Sequence, residues 1–195
     1  IHGYAEDNTF DGQGGDDEIH GGGGNDLLIG NTGGDYLWGD EGNDTLQGNS
    51  GDDVLYGGNG NDILEGGSGD DILSGHYGSD TFNFEAGFGN DKIIKSYFRN
   101  GESGTINFGA GITASQFSIR RVNRNLILTS TTSDDSLSIE NFFNSGITRS
   151  TGSPYNFIFA DGSTLSFDYL VDQSLAAVTD GNDYLYGYEE DNTLD

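Results

Sequence analysis

A nine-residue period runs without a slip from Gly12 to Asn83. Eight consecutive units open at Gly12, Gly21, Gly30, Gly39, Gly48, Gly57, Gly66 and Gly75. The fourth residue of each is glycine: Gly15, Gly24, Gly33, Gly42, Gly51, Gly60, Gly69 and Gly78. The sixth is aspartate: Asp17, Asp26, Asp35, Asp44, Asp53, Asp62, Asp71 and Asp80. The eighth is apolar: Ile19, Leu28, Leu37, Leu46, Leu55, Leu64, Leu73 and Phe82. Few architectures can hold four fixed positions in so short a period.

In the unit Gly57-Gly58-Asn59-Gly60-Asn61-Asp62-Ile63-Leu64-Glu65, the first six residues suit tight turns, because Gly, Asn and Asp tolerate positive φ. The last three make a very short strand, with Leu64 facing inward and Ile63 and Glu65 outward. Such a unit cannot bury its apolar face alone and has to stack on its neighbours, as in a solenoid. Two turn-strand units make one coil of eighteen residues. Unit n then lies over unit n+2, about 4.8 Å away by strand spacing.

This stacking places the aspartates in two columns, one through Asp17, Asp35, Asp53 and Asp71, the other through Asp26, Asp44, Asp62 and Asp80. Stacked carboxylates repel, and residues 12–83 contain no Lys or Arg to pair with them. A hard cation is the remaining way to neutralise them. Oxygen ligands with no Cys, no Met and three scattered His residues point to calcium rather than zinc or copper.

The units resemble the RTX ("repeats in toxin") nonapeptide, Gly-Gly-x-Gly-x-Asp-x-apolar-x, a known calcium-binding parallel β-helix repeat. The resemblance covers roughly residues 3–94 and implies an all-β fold: a right-handed parallel β-roll followed by a β-rich capping domain. It also implies a ligand set for each calcium: positions two, four and six of one turn, with positions one, three and six two turns later. The first site would take Gln13, Gly15 and Asp17 with Gly30, Thr32 and Asp35. The second would take Gly22, Gly24 and Asp26 with Gly39, Glu41 and Asp44. Asn31 and Gly33 with Asp35 would face Gly48, Ser50 and Asp53. Asp40 and Gly42 with Asp44 would face Gly57, Asn59 and Asp62. Asn49 and Gly51 with Asp53 would face Gly66, Ser68 and Asp71. Gly58 and Gly60 with Asp62 would face Gly75, Tyr77 and Asp80.

The ends depart from the pattern. Residues 3–11 keep the phase but carry Glu6 for Gly and Asn8 for Asp. Residues 86–94 read as a further unit displaced by two residues, so that Gly67, Gly69 and Asp71 would share a seventh site with Asp91. The expectation is six to eight Ca2+ ions.

Charge agrees with this reading. Residues 1–95 hold 20 acidic and 2 basic residues in a chain of net charge −26. Without calcium, self-repulsion and scarce large apolar side chains should leave this stretch disordered. With calcium, binding free energy becomes folding free energy. The lack of a basic surface excludes nucleic acid as a partner. There is no cysteine and no apolar run long enough to span a membrane. The absence of an initiator Met and a signal peptide is what a piece of a longer protein would show.

Residues 185–195 match residues 1–11 at seven of eleven positions, an offset of 184, and Gly181-Asn182-Asp183 restarts the nonapeptide. Three regions are therefore expected: a roll over 1–95, a β-rich flanking domain over 96–180, and the start of a next block over 181–195. The layout resembles large iron-regulated RTX exoproteins. Some carry a module that cleaves Asp-Pro bonds, but the single proline here, Pro154, follows Ser153.

In the second half, alternation predicts strands near Thr105–Phe108, Phe117–Val122, Asn125–Thr129, Ser136–Ile139, Tyr155–Phe159 and Thr164–Phe167. Turns are expected at Asn123-Arg124 and Ala160–Ser163, and a short helix near Asp168–Leu175. Asp134-Asp135 reads as a solvated loop. One outward face of the roll stacks Tyr36, Val54 and Ile72 beside His20, Trp38 and Tyr56. Either the second half folds back on this face, or a partner or glycan docks on Trp38 and Tyr56. No nucleophile–base pair or G-x-S-x-G elbow is present, so the chain is not expected to be an enzyme. What the family implies is a secreted protein of a Gram-negative bacterium, exported by a type I secretion apparatus and folded by calcium outside the cell. A structural spacer or adhesion module with a host-surface or glycan partner is the alternative.

Overall fold

The computed structural model describes residues 1–94, 102–143 and 153–176. Strands are numbered in chain order. One sheet contains β1 (Thr9–Asp11), β3 (Leu27–Thr32), β5 (Thr45–Ser50), β7 (Ile63–Ser68), β9 (Thr81–Phe84), β11 (Gly104–Phe108), β15 (Tyr155–Phe159) and β16 (Thr164–Leu165), in that order. The facing sheet runs β2 (Glu18–Gly23), β4 (Tyr36–Glu41), β6 (Val54–Asn59), β8 (Ile72–Tyr77), β10 (Asn90–Ile93), β14 (Ser136–Ile139), β13 (Asn125–Ser130) and β12 (Phe117–Val122).

Through the repeats every pairing is parallel with an offset of eighteen residues: Leu28 on Leu46, Leu46 on Leu64, Ile19 on Leu37, Leu37 on Leu55. This is the two-unit coil of a parallel β-roll. The eighth-position residues Ile19, Leu28, Leu37, Leu46, Leu55, Leu64, Leu73 and Phe82 are 0% exposed and form the axis of the core. Each coil contributes only two such side chains, so burial becomes worthwhile only when turns stack.

Full strands of the repeat are six residues long rather than three. Pairing continues through positions two and three, as in Asn31 on Asn49 and Thr32 on Ser50. The second position sits in the left-handed region, with φ of 78° at Asn31, 71° at Asp40 and 77° at Asn49. That kink lets the backbone bend while still supplying ladder hydrogen bonds, so the true turn shrinks to positions four to six. The fourth-position glycines are required there. Gly42 has φ 131°, and an added Cβ would overlap the Gly24 carbonyl oxygen of the turn below.

The second half continues the same sheets without the nonapeptide. β11 stacks on β9 with Ile106 on Phe82 and Phe108 on Phe84, and β15 stacks on β11. β10 stacks on β8, and β14 on β10. Only then does the direction change. β13 pairs antiparallel with β14, β12 with β13 through the Asn123-Arg124 turn, and β16 with β15. Phenylalanine joins leucine and isoleucine in this part of the core, with Phe108 stacked on Phe159 at 4.8 Å and tilted against Phe117 at 5.1 Å.

The strand expected over Thr164–Phe167 stops at Leu165. The Ser166 hydroxyl accepts the Tyr169 N–H at 3.2 Å and so caps the helix α1 (Phe167–Ala176). α1 packs against β12 and buries Leu170 and Val171. The expected folding back of the second half over the aromatic face does not occur among the described residues. The second half extends the roll end-on, and Tyr36 remains 49% exposed. Residues 181–195 lie outside the described residues.

Candidate metal sites

Each sixth-position aspartate sits where the chain turns from position five into a strand. Its Oδ1 accepts the backbone N–H of the corresponding residue one coil earlier. Asp35 takes the N–H of Asp17, Asp44 that of Asp26, Asp53 that of Asp35, Asp62 that of Asp44, Asp71 that of Asp53 and Asp80 that of Asp62, at 2.7–3.1 Å. The displaced last unit obeys the same rule: Asp91 takes the N–H of Asp71 at 2.9 Å, across twenty residues. At the other end Asp26 takes the N–H of Asn8 at 2.7 Å.

The second carboxylate oxygen has no such use. The Oδ2 atoms of Asp26, Asp35, Asp44, Asp53, Asp62, Asp71, Asp80 and Asp91 are all buried and without a hydrogen-bond partner. A single orphaned oxygen of this kind is costly, and native proteins seldom tolerate it. Eight in register cannot be read as isolated defects. Burial, only partly offset by the backbone hydrogen bond, pushes the carboxyls of Asp44, Asp53 and Asp80 up to about 6. The same causes take Asp62 and Asp71 to about 7 and Asp91 to about 8, and raise Asp26 and Asp35. Neighbouring carboxylates add to the rise. Kept as anions, these groups need a positive charge at the unpartnered oxygen.

Backbone oxygens converge on the same spaces. A Cβ added to Gly12 would lie 2.8 Å from Asp17 Oδ2 and 2.9 Å from the Gly30 carbonyl oxygen of the turn above. The same pair recurs as Asp26 Oδ2 with the Gly39 oxygen at Gly21, as Asp44 Oδ2 with Gly57 at Gly39, and as Asp53 Oδ2 with Gly66 at Gly48. The first-position glycine is therefore a cradle that a side chain would fill. From below, the fourth-position carbonyls of Gly15, Gly24, Gly33, Gly42, Gly51, Gly60 and Gly69 project towards the next coil, joined by the second-position carbonyls of Asp40 and Asn49. From above, the third-position carbonyls of Thr32, Ser50, Asn59, Ser68 and Tyr77 point down. They accept the N–H groups of Gly15, Gly33, Gly42, Gly51 and Gly60 at 2.8–3.0 Å, leaving a second lone pair.

Among the described residues no three His, Cys, Asp or Glu side chains cluster as a metal site. A cation between coils would be held mainly by backbone carbonyls and two carboxylates, an all-oxygen set that fits calcium. The carboxylate oxygens from Asp26 to Asp91 and the carbonyls named above line these inter-coil spaces. Gln13 and Gly22 keep the left-handed second-position conformation, and Glu41 pairs across the ladder with Gly23.

Sequence reasoning missed the fifth position. The side chains of Asp16, Asn25, Asn43, Asp52, Asn61 and Asp70 accept the N–H of the fifth-position residue one coil later, at 2.7–2.9 Å. Position six reaches one coil down and position five one coil up, which locks each turn from both sides. The signal was present as the recurrent Asp or Asn at that position. Asp135, expected in a solvated loop, is instead 7% exposed; its Oδ1 accepts the N–H of Gly89 and its Oδ2 that of Gly87, both at 3.1 Å.

The family model for the RTX calcium-binding nonapeptide repeat matches the chain in four copies, over residues 1–28, 29–64, 56–93 and 177–195. The chain belongs to the RTX calcium-binding repeat family. A second model, the haemolysin-type calcium binding protein related domain, matches residues 125–169 of this RTX chain. No curated protein matches it in sequence. Among solved structures it is similar to the AlgE6R3 subunit of the Azotobacter vinelandii mannuronan C5-epimerase, determined in solution. The identity is 21%, covering 98% of this chain and 94% of the subunit, with a TM-score of 0.24. So loose a superposition has no bearing on this RTX roll, whose fold rests on its own sheets. Among the described residues no helix is long and apolar enough to cross a membrane.

Proposed function

We propose that this RTX module is a calcium-folded roll of a secreted bacterial exoprotein, unfolded during type I export and folded outside the cell. The eight buried, unpartnered Oδ2 atoms carry this reading. Six Ca2+ ions would lie between successive members of the two columns from Asp17 to Asp80, and a seventh between Asp71 and Asp91. Each would be held by the carboxylates and by the position-one to position-four carbonyls of the two turns. Bound calcium supplies the positive charge that lets the stacked carboxylates stay ionised. Cytosolic calcium is too scarce for this, whereas extracellular modules operate at roughly 10⁻⁴–10⁻³ M. The second half serves as the cap: the first sheet ends in the two-residue β16 and the second in β12 with α1 packed against it, which blunts edges that would otherwise template aggregation. The role is structural rather than catalytic.

Far-UV circular dichroism during a calcium titration tests this, with magnesium as control. The expected outcome is a cooperative coil-to-β transition near millimolar calcium and none with magnesium. A roll already formed in chelator above pH 7 would overturn it.

One observation favours a second role as an adhesive spacer. On the second sheet His20 stacks on Trp38 at 4.4 Å, and Trp38 on Tyr56 at 5.9 Å, beside the half-exposed Tyr36. Such a stack offers flat apolar faces to a host-surface or glycan partner. A glycan array probed with wild-type and Trp38→Ala protein decides it: signal lost in the variant supports the role, and no signal in either removes it.

A further inference from the structure

The end of the first aspartate column differs from its middle. In the coils below, the N–H of a fourth-position glycine is taken by the third-position carbonyl of the next coil, as Gly33 by Ser50 and Gly51 by Ser68. Above Gly89 no repeat follows. The chain returns as β14, with Ser136 over Asn90 and Leu137 over Asp91. Leu137 is fully buried and cannot act as a ligand, so the column of repeat aspartates ends at Asp91.

Asp135 reaches into the gap. Its Oδ1 accepts the Gly89 N–H at 3.1 Å, the bond made elsewhere by a third-position carbonyl. Its Oδ2 accepts the Gly87 N–H at 3.1 Å and the Ser133 hydroxyl at 2.9 Å. A side-chain carboxylate thus stands in the slot of a backbone carbonyl, and three donors leave it with acceptor capacity to spare. Beneath it, Asp91 is 2% exposed; its Oδ1 is used by Asp71, and its Oδ2 is buried without a partner. Asp135 is hydrogen-bonded to Gly89, two residues before Asp91 in the same turn. Neither carboxylate has a Lys or Arg partner among the described residues. A cleft of about 140 Å³ opens beside Asp135, lined by Gly87, Ser133 and Asp135 and, on its apolar side, by Phe88, Ile112 and Phe117. It has room for an ion and its remaining waters.

We propose that Asp91 and Asp135 hold one further calcium ion at the junction between the repeats and the second half. This rests on the calcium reading of the roll, but it uses a carboxylate outside the nonapeptide and lies beyond the last repeat pair. The ion would fasten β14 to β10, and with it the β12–β13 hairpin to the roll.

The test is anomalous diffraction from the full chain crystallised in calcium chloride, with ions counted by native mass spectrometry for wild type, Asp135→Asn and Asp134→Asn. The asparagine keeps an acceptor for the Gly89 N–H, so the turn is retained. Expected are an anomalous peak about 2.3–2.6 Å from oxygens of Asp91 and Asp135, one ion fewer in Asp135→Asn, and an unchanged count in Asp134→Asn. Peaks along the ladder with none at this junction would overturn the proposal and leave the calcium-folded roll standing. An unchanged count in Asp135→Asn would also overturn it. Should that variant fail to fold, the wild-type map decides alone. No ion anywhere would overturn both readings.

Discussion

From β2 to β8 each sheet gains one inward aliphatic side chain per eighteen residues. From β11 to β16 the first sheet is filled by Phe108, Phe157, Phe159 and Leu165, and the second by Ile119, Leu126, Leu128, Leu137 and Ile139. The first region turns on carboxylates whose second oxygen has no protein partner; the second turns on hairpins and a capped helix. One backbone arrangement can therefore rest on two sources of stability. The repeats save side-chain volume and need a cation for charge balance. The flanking rungs bury aromatic as well as aliphatic side chains.

Removing calcium should separate the two regions most sharply. In chelator, hydrogen exchange should lose protection across residues 9–93, while amides of β12, β13 and β15 keep more of theirs. Uniform loss throughout would mean that the aromatic rungs cannot stand without the roll.

Asp53→Asn comes next, because Asp53 is shared by two inter-coil spaces. Two ions should be lost by mass spectrometry, each forfeiting about 2.7 kcal/mol at calcium a hundredfold above its dissociation constant. The circular-dichroism calcium midpoint should rise accordingly. Phe108→Ala is the counterpart in the second region. It should cost about 3–5 kcal/mol in thermal or denaturant unfolding, with the calcium midpoint nearly unmoved.

Acidity offers a smaller and reversible contrast. The folded carboxyls of Asp44, Asp53, Asp62, Asp71 and Asp80 lie at about 6 to 7, above the ordinary aspartate value of 3.8. A raised folded pKa means that the metal-free roll is favoured below pH 3.8 and loses stability as pH rises through 6 to 7. In chelator, β signal should fall over that window. Calcium affinity should rise over the same window, since the ion competes with protons. The smallest effect expected is Ser166→Ala, about 1 kcal/mol from the lost cap of α1, seen by thermal melting and independent of calcium.

Much of the roll was legible because its long-range contacts are translations of one local pattern. Eighteen-residue pairing, the inward eighth position and the two aspartate columns all follow once a unit must stack on the unit two ahead. β12 and β14 were readable from end to end by alternation alone. The ligand carbonyls came from the family resemblance rather than from the residues. The six-residue strands were missed because nothing in a Gly-Asn-rich stretch says that a left-handed residue can stay inside a ladder.

By itself, then, the amino-acid sequence determined the coil, its eighteen-residue register and its core, since each is a property of a repeated unit. Tertiary structure alone decided that the second half prolongs both sheets instead of folding over the aromatic face. It alone brought Asp135 beside Gly89, 46 residues away. Contacts at that separation carry no periodic mark; they arise only when the chain has turned and two buried surfaces must satisfy each other's hydrogen bonds.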